Sequence, residues 1–189
     1  NDVPFMIEKE KLDTVVLRKL DISNFSSTSM SNWTEFVNRL KYPKNTVNIG
    51  LIGKYVELQD SYKSILEALV HAGSVNETKV VIHSIHSEFI DDDQINNQIS
   101  KLDGVIVAPG FGSRGIEGKI KSIKYVRENN IPFFGICLGM QMAVIEYSRN
   151  ILNLEDSNST EMDEKTSHPV ISLMQDQKNI INKGGTMRL

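Results

Sequence analysis

Phe133-Phe134-Gly135-Ile136-Cys137-Leu138-Gly139-Met140-Gln141 places the one cysteine of the 189-residue chain on a Gly-x-Cys-x-Gly turn between an apolar run and a helical pattern. This spacing predicts a nucleophile elbow. Glycines two residues before and after the cysteine remove the side chains that would clash in a sharp strand-to-helix turn, which lifts the reactive atom above the carboxyl edge of a sheet. A thiol at a helix N-terminus faces unpaired N–H groups, an environment that moves a cysteine from a pKa of about 8.5 into a range of roughly 3.5–7.5. A lone cysteine is equally at home as a small buried hydrophobe, so the surrounding sequence must decide between the two.

Upstream of the elbow, short apolar runs alternate with helical patterns. Val47–Ile52, Lys79–Ile85, Gly104–Ala108 and Pro132–Ile136 are predicted as strands, and Ser61–His71, Gln94–Lys101, Ile116–Asn129 and Leu138–Tyr147 as helices. Strands that are apolar almost throughout belong to a parallel sheet covered on both faces, and the alternation requires right-handed crossovers. The expected fold class is α/β: an open, mostly parallel sheet with helices on both faces, in flavodoxin-like layering. Ligands of such sheets sit at the carboxyl ends of the strands. Residues 1–46 differ in texture, with a charged helical stretch from Glu8 to Leu20, a Ser/Thr/Asn-rich gap from Ser23 to Asn32, and an amphipathic helix from Trp33 to Leu40 ending before Pro43. This segment reads as a linker.

Bulk properties narrow the function. A length of 189 residues with 40% apolar content suits one ordinary domain, with room for an appendage but not for a second large domain. One cysteine excludes an internal disulfide framework, and no charged-then-apolar leader opens the sequence, so the expected setting is reducing and cytoplasmic. No apolar run approaches the roughly 20 residues that cross a bilayer. A net charge of −3 with scattered Lys and Arg gives no footprint for nucleic acid. His71, His83, His86 and His168 lack metal-ligand spacing, and the acidic runs Glu88–Asp93 and Glu155–Glu164 read as solvated loops, so no metal is expected. Beyond Asn150 the chain turns polar, and Gly184–Leu189 reads as the middle of a strand, which predicts a domain continuing past Leu189.

A second glycine turn, Val107-Ala108-Pro109-Gly110-Phe111-Gly112-Ser113-Arg114-Gly115, follows an apolar strand and precedes a helix. It lacks both the Lys-Ser/Thr ending of a P-loop and the Gly-x-Gly-x-x-Gly register of a dinucleotide site. As partner to the elbow it is better placed. Thioester chemistry needs donors for the developing oxyanion, one from the Leu138 N–H after the nucleophile and one from a neighbouring strand-end loop, here Gly110. Loss of one such donor typically costs about 2.7–4 kcal/mol of transition-state stabilisation.

These two turns occur together with Gly53-Lys54-Tyr55-Val56-Glu57-Leu58-Gln59-Asp60-Ser61-Tyr62-Lys63-Ser64, with Ser148-Arg149-Asn150 after the elbow helix, and with Ser159-Thr160-Glu161. In this combination the chain resembles the class I (triad) glutamine amidotransferases, and among them the glutaminase domain of the CTP synthases. The resemblance runs from about residue 47 to the end. It implies that 1–46 is the end of a synthetase domain plus interdomain linker, and that 47–189 is a glutaminase domain cut off before its catalytic histidine and glutamate.

By that resemblance Cys137 matches the nucleophile that attacks the side-chain amide of glutamine. Gly110 matches the oxyanion-hole glycine, and Leu138, Gly139, Met140 and Gln141 the second glutamine-contacting segment. Glu161 matches the acid that meets the substrate's amino group, a fitting task for a carboxylate facing an ammonium. Phe111, Arg114 and Glu117 fall in a lid-like loop associated with GTP activation and ammonia passage, and Lys63 where the family has an effector-linked residue. The family implies no cofactor in this domain. It implies ATP and Mg2+ in a separate synthetase domain that phosphorylates UTP, GTP as allosteric activator, ammonia transfer to give CTP in pyrimidine biosynthesis, and a homotetrameric full-length ligase without nucleic-acid or membrane partners.

Two departures stand out. Pro109 occupies the place where the family commonly has glycine, so an oxyanion donor must come from Gly110 or later, because proline has no N–H. The family's His-Pro-Glu is absent; His168-Pro169-Val170 aligns with a non-catalytic stretch and no carboxylate follows it at the right offset. Residues 1–189 alone are therefore expected to hydrolyse glutamine very poorly. A non-catalytic interaction module and a glutaminase serving another synthase remain open alternatives.

Overall fold

The computed structural model describes residues 1–22, 29–58 and 60–174. Most of the Ser23–Asn32 gap lies outside them, as does the whole of Gly184–Leu189. The chain separates into two units, one made of residues 1–47 with 63–81 and the other of residues 48–62 with 82–189.

The first unit is mainly helical. Helices α1 (Val3–Lys9) and α2 (Leu12–Lys19) bury no residue; the charged stretch read as one helix is interrupted at Lys11, which takes a left-handed backbone with φ 53°. Helix α3 (Ser31–Lys41) packs against α4 (Lys63–Val75). Val37 is buried in that unit, Phe36 meets the edge of His71 at 5.7 Å, and Ser74 Oγ donates to the Phe36 carbonyl at 3.1 Å. Lys63 opens α4.

Strands β1 (Asn45–Gly53), β2 (Thr78–His86), β3 (Gly104–Val107) and β4 (Phe133–Gly135) form a sheet in the order β2-β1-β3-β4, with β1–β3 and β3–β4 parallel. The order reverses beside β1, because the chain leaves β1 for β2 on one side and returns to β3 on the other. In such sheets the crevice at the carboxyl ends of the two strands flanking the reversal is the preferred ligand position. The loops after β1 and β3 are the segments beginning Lys54 and Ala108.

In the second unit, α5 (Ile95–Ile99), α6 (Ile116–Glu128) and α7 (Leu138–Asn150) supply the helical layer. Ile116, Ile120, Ile123 and Val126 recur at the three-to-four-residue spacing of a helix face. They join Ile52, Val105, Val107, Leu138, Met142 and Ile145 in one core. All four predicted strands and the four helices paired with them are present, with ends displaced by up to four residues. A short parallel pair, β5 (Asn158–Ser159) with β6 (Pro169–Ile171), lies in the stretch expected to be irregular. Among the described residues no helix is long and apolar enough to cross a membrane.

Candidate active site at the carboxyl edge of the sheet

Cys137 lies between β4 and α7 with φ 52° and ψ −106°, a backbone that L-residues seldom adopt, and its side chain is exposed. Strain of this kind persists only where the surroundings enforce it. Here the two glycines let them. A Cβ on Gly135 would come within 2.7 Å of the Gly139 and Met140 backbone, and a Cβ on Gly139 within 2.1 Å of the Val107 carbonyl oxygen at the end of β3. The Ile136 N–H, meanwhile, donates to that same carbonyl at 3.0 Å. The elbow is thus wedged against the end of β3, and only residues without a side chain permit it.

The loop after β3 comes to the same place. The Cβ position of Gly110 is 3.6 Å from the Leu138 side chain, so the loop carrying one predicted oxyanion donor touches the residue that carries the other. The Leu138 N–H belongs to the first turn of α7, where no intrahelical acceptor exists. Leu138 itself is buried and packs into the core, leaving its backbone as its polar contribution. Gly139 makes the close approach to β3, and Met140 is half-exposed.

Gln141 follows Cys137 by one helical turn, its N–H donating to the Cys137 carbonyl at 3.1 Å. It lines a cavity of about 410 Å³ together with Ser159, Thr160, Glu161 and Glu164. The structure therefore brings Gln141 and Glu161 together from segments twenty residues apart. Gln141 Oε1 is buried without a hydrogen-bond partner among the described residues, while the Glu161 side chain is exposed and its N–H is held by Ser159 Oγ at 3.2 Å.

Within the second unit, the effector-linked residues Phe111, Arg114 and Glu117 have different surroundings. Phe111 is exposed; Arg114 pairs with Glu88 at 2.7 Å and lies 5.8 Å from the centre of the Tyr55 ring. Glu117 instead pairs with Arg149 at 3.2 Å and lines a separate cavity of about 380 Å³ with Asp92, Lys121 and Lys124. Lys63 belongs to the first unit. The acidic run Glu88–Asp93 is occupied by ordinary duties, with Asp92 pairing Lys121 at 3.1 Å and Asp91 receiving the Gln94 N–H at 2.8 Å. No group of three or more His, Cys, Asp or Glu suited to a metal ion occurs among the described residues.

Sequence reasoning missed two features. His168 does have a carboxylate partner, but upstream: Asp156 accepts from Ser167 and contacts His168 Nδ1, and these hydrogen bonds, Ser167 first, hold its carboxyl well below the usual carboxylate range. A pair twelve residues apart, closed by a turn, has no local signature. The other is a pair of lysines beneath the Gly110 loop. Lys54 and Lys119 are buried, Lys54 Nζ contacting the Phe111 carbonyl and Lys119 Nζ donating to the Ala108 carbonyl at 2.8 Å. A signal existed for Lys119, since it falls on the same helix face as Ile116, Ile120 and Ile123, where a charge contradicts the pattern.

An exposed cysteine on a strained strand-to-helix turn, with a glycine loop beside the first turn of its helix, has the geometry of a nucleophile elbow on a doubly wound sheet. The family model described as glutamine amidotransferase class-I matches residues 57–189, and the chain belongs to that family. Among its relatives, the CTP synthase of Flavobacterium johnsoniae is 65% identical over 188 residues, covering 100% of this chain and 35% of that protein. The CTP synthase of Methanocaldococcus jannaschii is 51% identical over 194 residues, covering 100% of this chain and 36% of that protein. The chain thus spans about a third of the length of these relatives. Among solved structures, the Trypanosoma brucei CTPS glutaminase domain with bound acivicin superposes with a TM-score of 0.67 at 36% identity, covering 70% of this chain and 52% of that one.

Proposed function

We propose that the chain is the glutaminase part of a CTP synthase, releasing ammonia from L-glutamine for the ATP-dependent amination of UTP. The observation that carries this reading is the exposed Cys137 at φ 52°, with the Gly110 loop packed on Leu138 beside it. In this reading the Cys137 thiolate attacks the side-chain amide carbon of glutamine, and the carbonyl electron pair moves onto oxygen. The N–H groups of Leu138 and Gly110 meet that oxyanion. Collapse breaks the C–N bond, and the nitrogen leaves as ammonia after taking a proton. Water then attacks the thioester, the C–S bond breaks, and glutamate departs. Gln141 and Glu161 orient the substrate, the carboxylate facing its ammonium.

In this proposal the histidine base and its carboxylate come from outside residues 1–189, because the family's His-Pro-Glu does not occur within them and His168-Pro169-Val170 matches a non-catalytic stretch. Residues 1–46 tether the glutaminase to a synthetase domain that holds ATP, Mg2+ and UTP. Lys63, Phe111, Arg114 and Glu117 are the residues tied to GTP activation in this reading, and a homotetramer in the cytoplasm is the expected working form. The test is CTP formation by the intact protein from UTP, ATP and glutamine. The reading expects glutamine-dependent CTP that disappears in Cys137→Ala while added ammonia still supports synthesis. Glutamine hydrolysis with no CTP would point to another acceptor, and no hydrolysis at all to a non-catalytic module.

A further inference from the structure

Residues 108–112 carry no secondary structure, yet an oxyanion donor must be aimed before the reaction begins. What fixes this loop is two buried ammonium groups. Lys119 rises from the first turn of α6, is 0% exposed, and donates to the Ala108 carbonyl at 2.8 Å. Lys54, in the loop after β1, reaches the Phe111 carbonyl. The Cβ position of Gly110 lies 3.7 Å from Lys119 Nζ and 3.7 Å from Lys54 Cε, so the glycine sits between the two side chains. Neither lysine forms an ion pair with a carboxylate among the described residues. A methionine or leucine in place of Lys119 would satisfy the buried stripe of α6 without taking a charge out of water.

We propose that Lys119, assisted by Lys54, is a positioning residue for the oxyanion loop: by holding the carbonyls of Ala108 and Phe111 the two ammonium groups turn the Gly110 N–H toward the reacting carbonyl and place positive potential beneath it. This rests on the glutaminase reading. Among the described residues neither the Gly110 nor the Phe111 N–H makes a hydrogen bond. Negative charge grows on the substrate oxygen only in the transition state, so the effect falls on kcat rather than on KM.

The ionisation of Lys119 falls in an accessible range. Burial first, and then the neighbouring Lys54, push its pKa down to about 8, while Cys137 opposes them. The ammonium that supplies the potential is therefore lost above that pH.

The test is made on the intact protein, with glutamine hydrolysis followed across pH for the wild type and Lys119→Met. The expected result is a fall in kcat of roughly 10–100-fold for Lys119→Met, with KM within about threefold of wild type, less than the roughly 100–1000-fold of a deleted donor because the donor is loosened rather than removed. Alkylation of Cys137 by iodoacetamide, which needs no oxyanion hole and feels Lys119 only through the thiolate, falls much less than kcat. The wild-type kcat profile falls on its alkaline side near pH 8, and Lys119→Met lacks that limb. A folded Lys119→Met with wild-type kcat, or one altered in KM alone, would overturn the proposal. Should that variant not fold, a wild-type profile without the alkaline limb does the same. A wild-type protein that hydrolyses no glutamine removes the glutaminase reading itself.

Discussion

Helix α6 carries a cation near each end and treats the two in opposite ways. Near its start, Lys119 is fully buried and answers to a backbone carbonyl. Near its end, Arg127 makes a two-pronged contact with Glu146 of α7, Nη2 to Oε1 at 2.7 Å and Nε to Oε2 at 3.0 Å. Glu146 is 1% exposed while the Arg127 side chain is 30% exposed. The paired charges join two helices and keep one partner in touch with water. The unpaired charge lies beneath the loop beside Cys137, at the edge where the backbone is also strained. A strained backbone at Cys137 and a buried ammonium with no carboxylate partner among the described residues thus occur at the same end of the unit, where the proposed chemistry falls.

The contrast predicts effects of different kinds at the two ends. Cys137→Ala should abolish glutamine hydrolysis by at least about a thousandfold in the intact protein. Because the thiol is exposed, thermal denaturation should leave Tm unchanged; a falling Tm would mean that Cys137 is a packing residue. At the other end, Glu146→Leu should remove the buried partner of Arg127, leaving it only the more distant Glu128 at 3.6 Å, and cost about 2 kcal/mol by denaturant unfolding. Replacing Arg127 by Met in the same chain should recover much of that loss, while activity changes little in either variant.

Lys119 gives the comparison its pH signature. Its folded-state pKa is about 8, against an ordinary 10.5 in the unfolded chain. Between those values the unfolded chain binds more protons than the folded one, so stability should rise with pH across that window, by at most about 3 kcal/mol. Below pH 8 the contribution is level, and Lys119→Met should remove the rise. Urea titrations at several pH values measure this directly, and a flat wild-type profile would mean that the amine is better solvated than its burial indicates. The smallest effect belongs to Glu161→Gln, expected to raise KM for glutamine about tenfold with kcat little changed, the scale of one charge-assisted contact.

The legible parts of the molecule were those whose cause is local. Apolar runs of four to six residues declared β1, β3 and β4, and the spacing of Gly135, Cys137 and Gly139 declared the elbow, because every atom that forces the turn lies within the turn or at the end of one neighbouring strand. Helix α6 was legible from Ile116, Ile120 and Ile123, although Lys119 on the same face passed unremarked. The break between α1 and α2 was not legible, since Lys11 has no sequence feature that demands a left-handed backbone. The β5–β6 pair and the Asp156–His168 contact were hidden for a different reason. Both depend on a turn that brings distant short segments together, and neither segment is apolar enough to announce itself. Gln141 and Glu161 entered as a pair only through family resemblance, and the cavity they share gives that pairing a physical location.

The central claim is that Cys137 becomes covalently bonded to the acyl carbon of glutamine. Acid quenching of the intact protein during turnover with isotopically labelled glutamine, followed by peptide mass spectrometry, tests it directly. The account predicts a labelled glutamyl thioester on the peptide containing Cys137. Sustained glutamine hydrolysis with that cysteine unmodified in the quenched protein would contradict it.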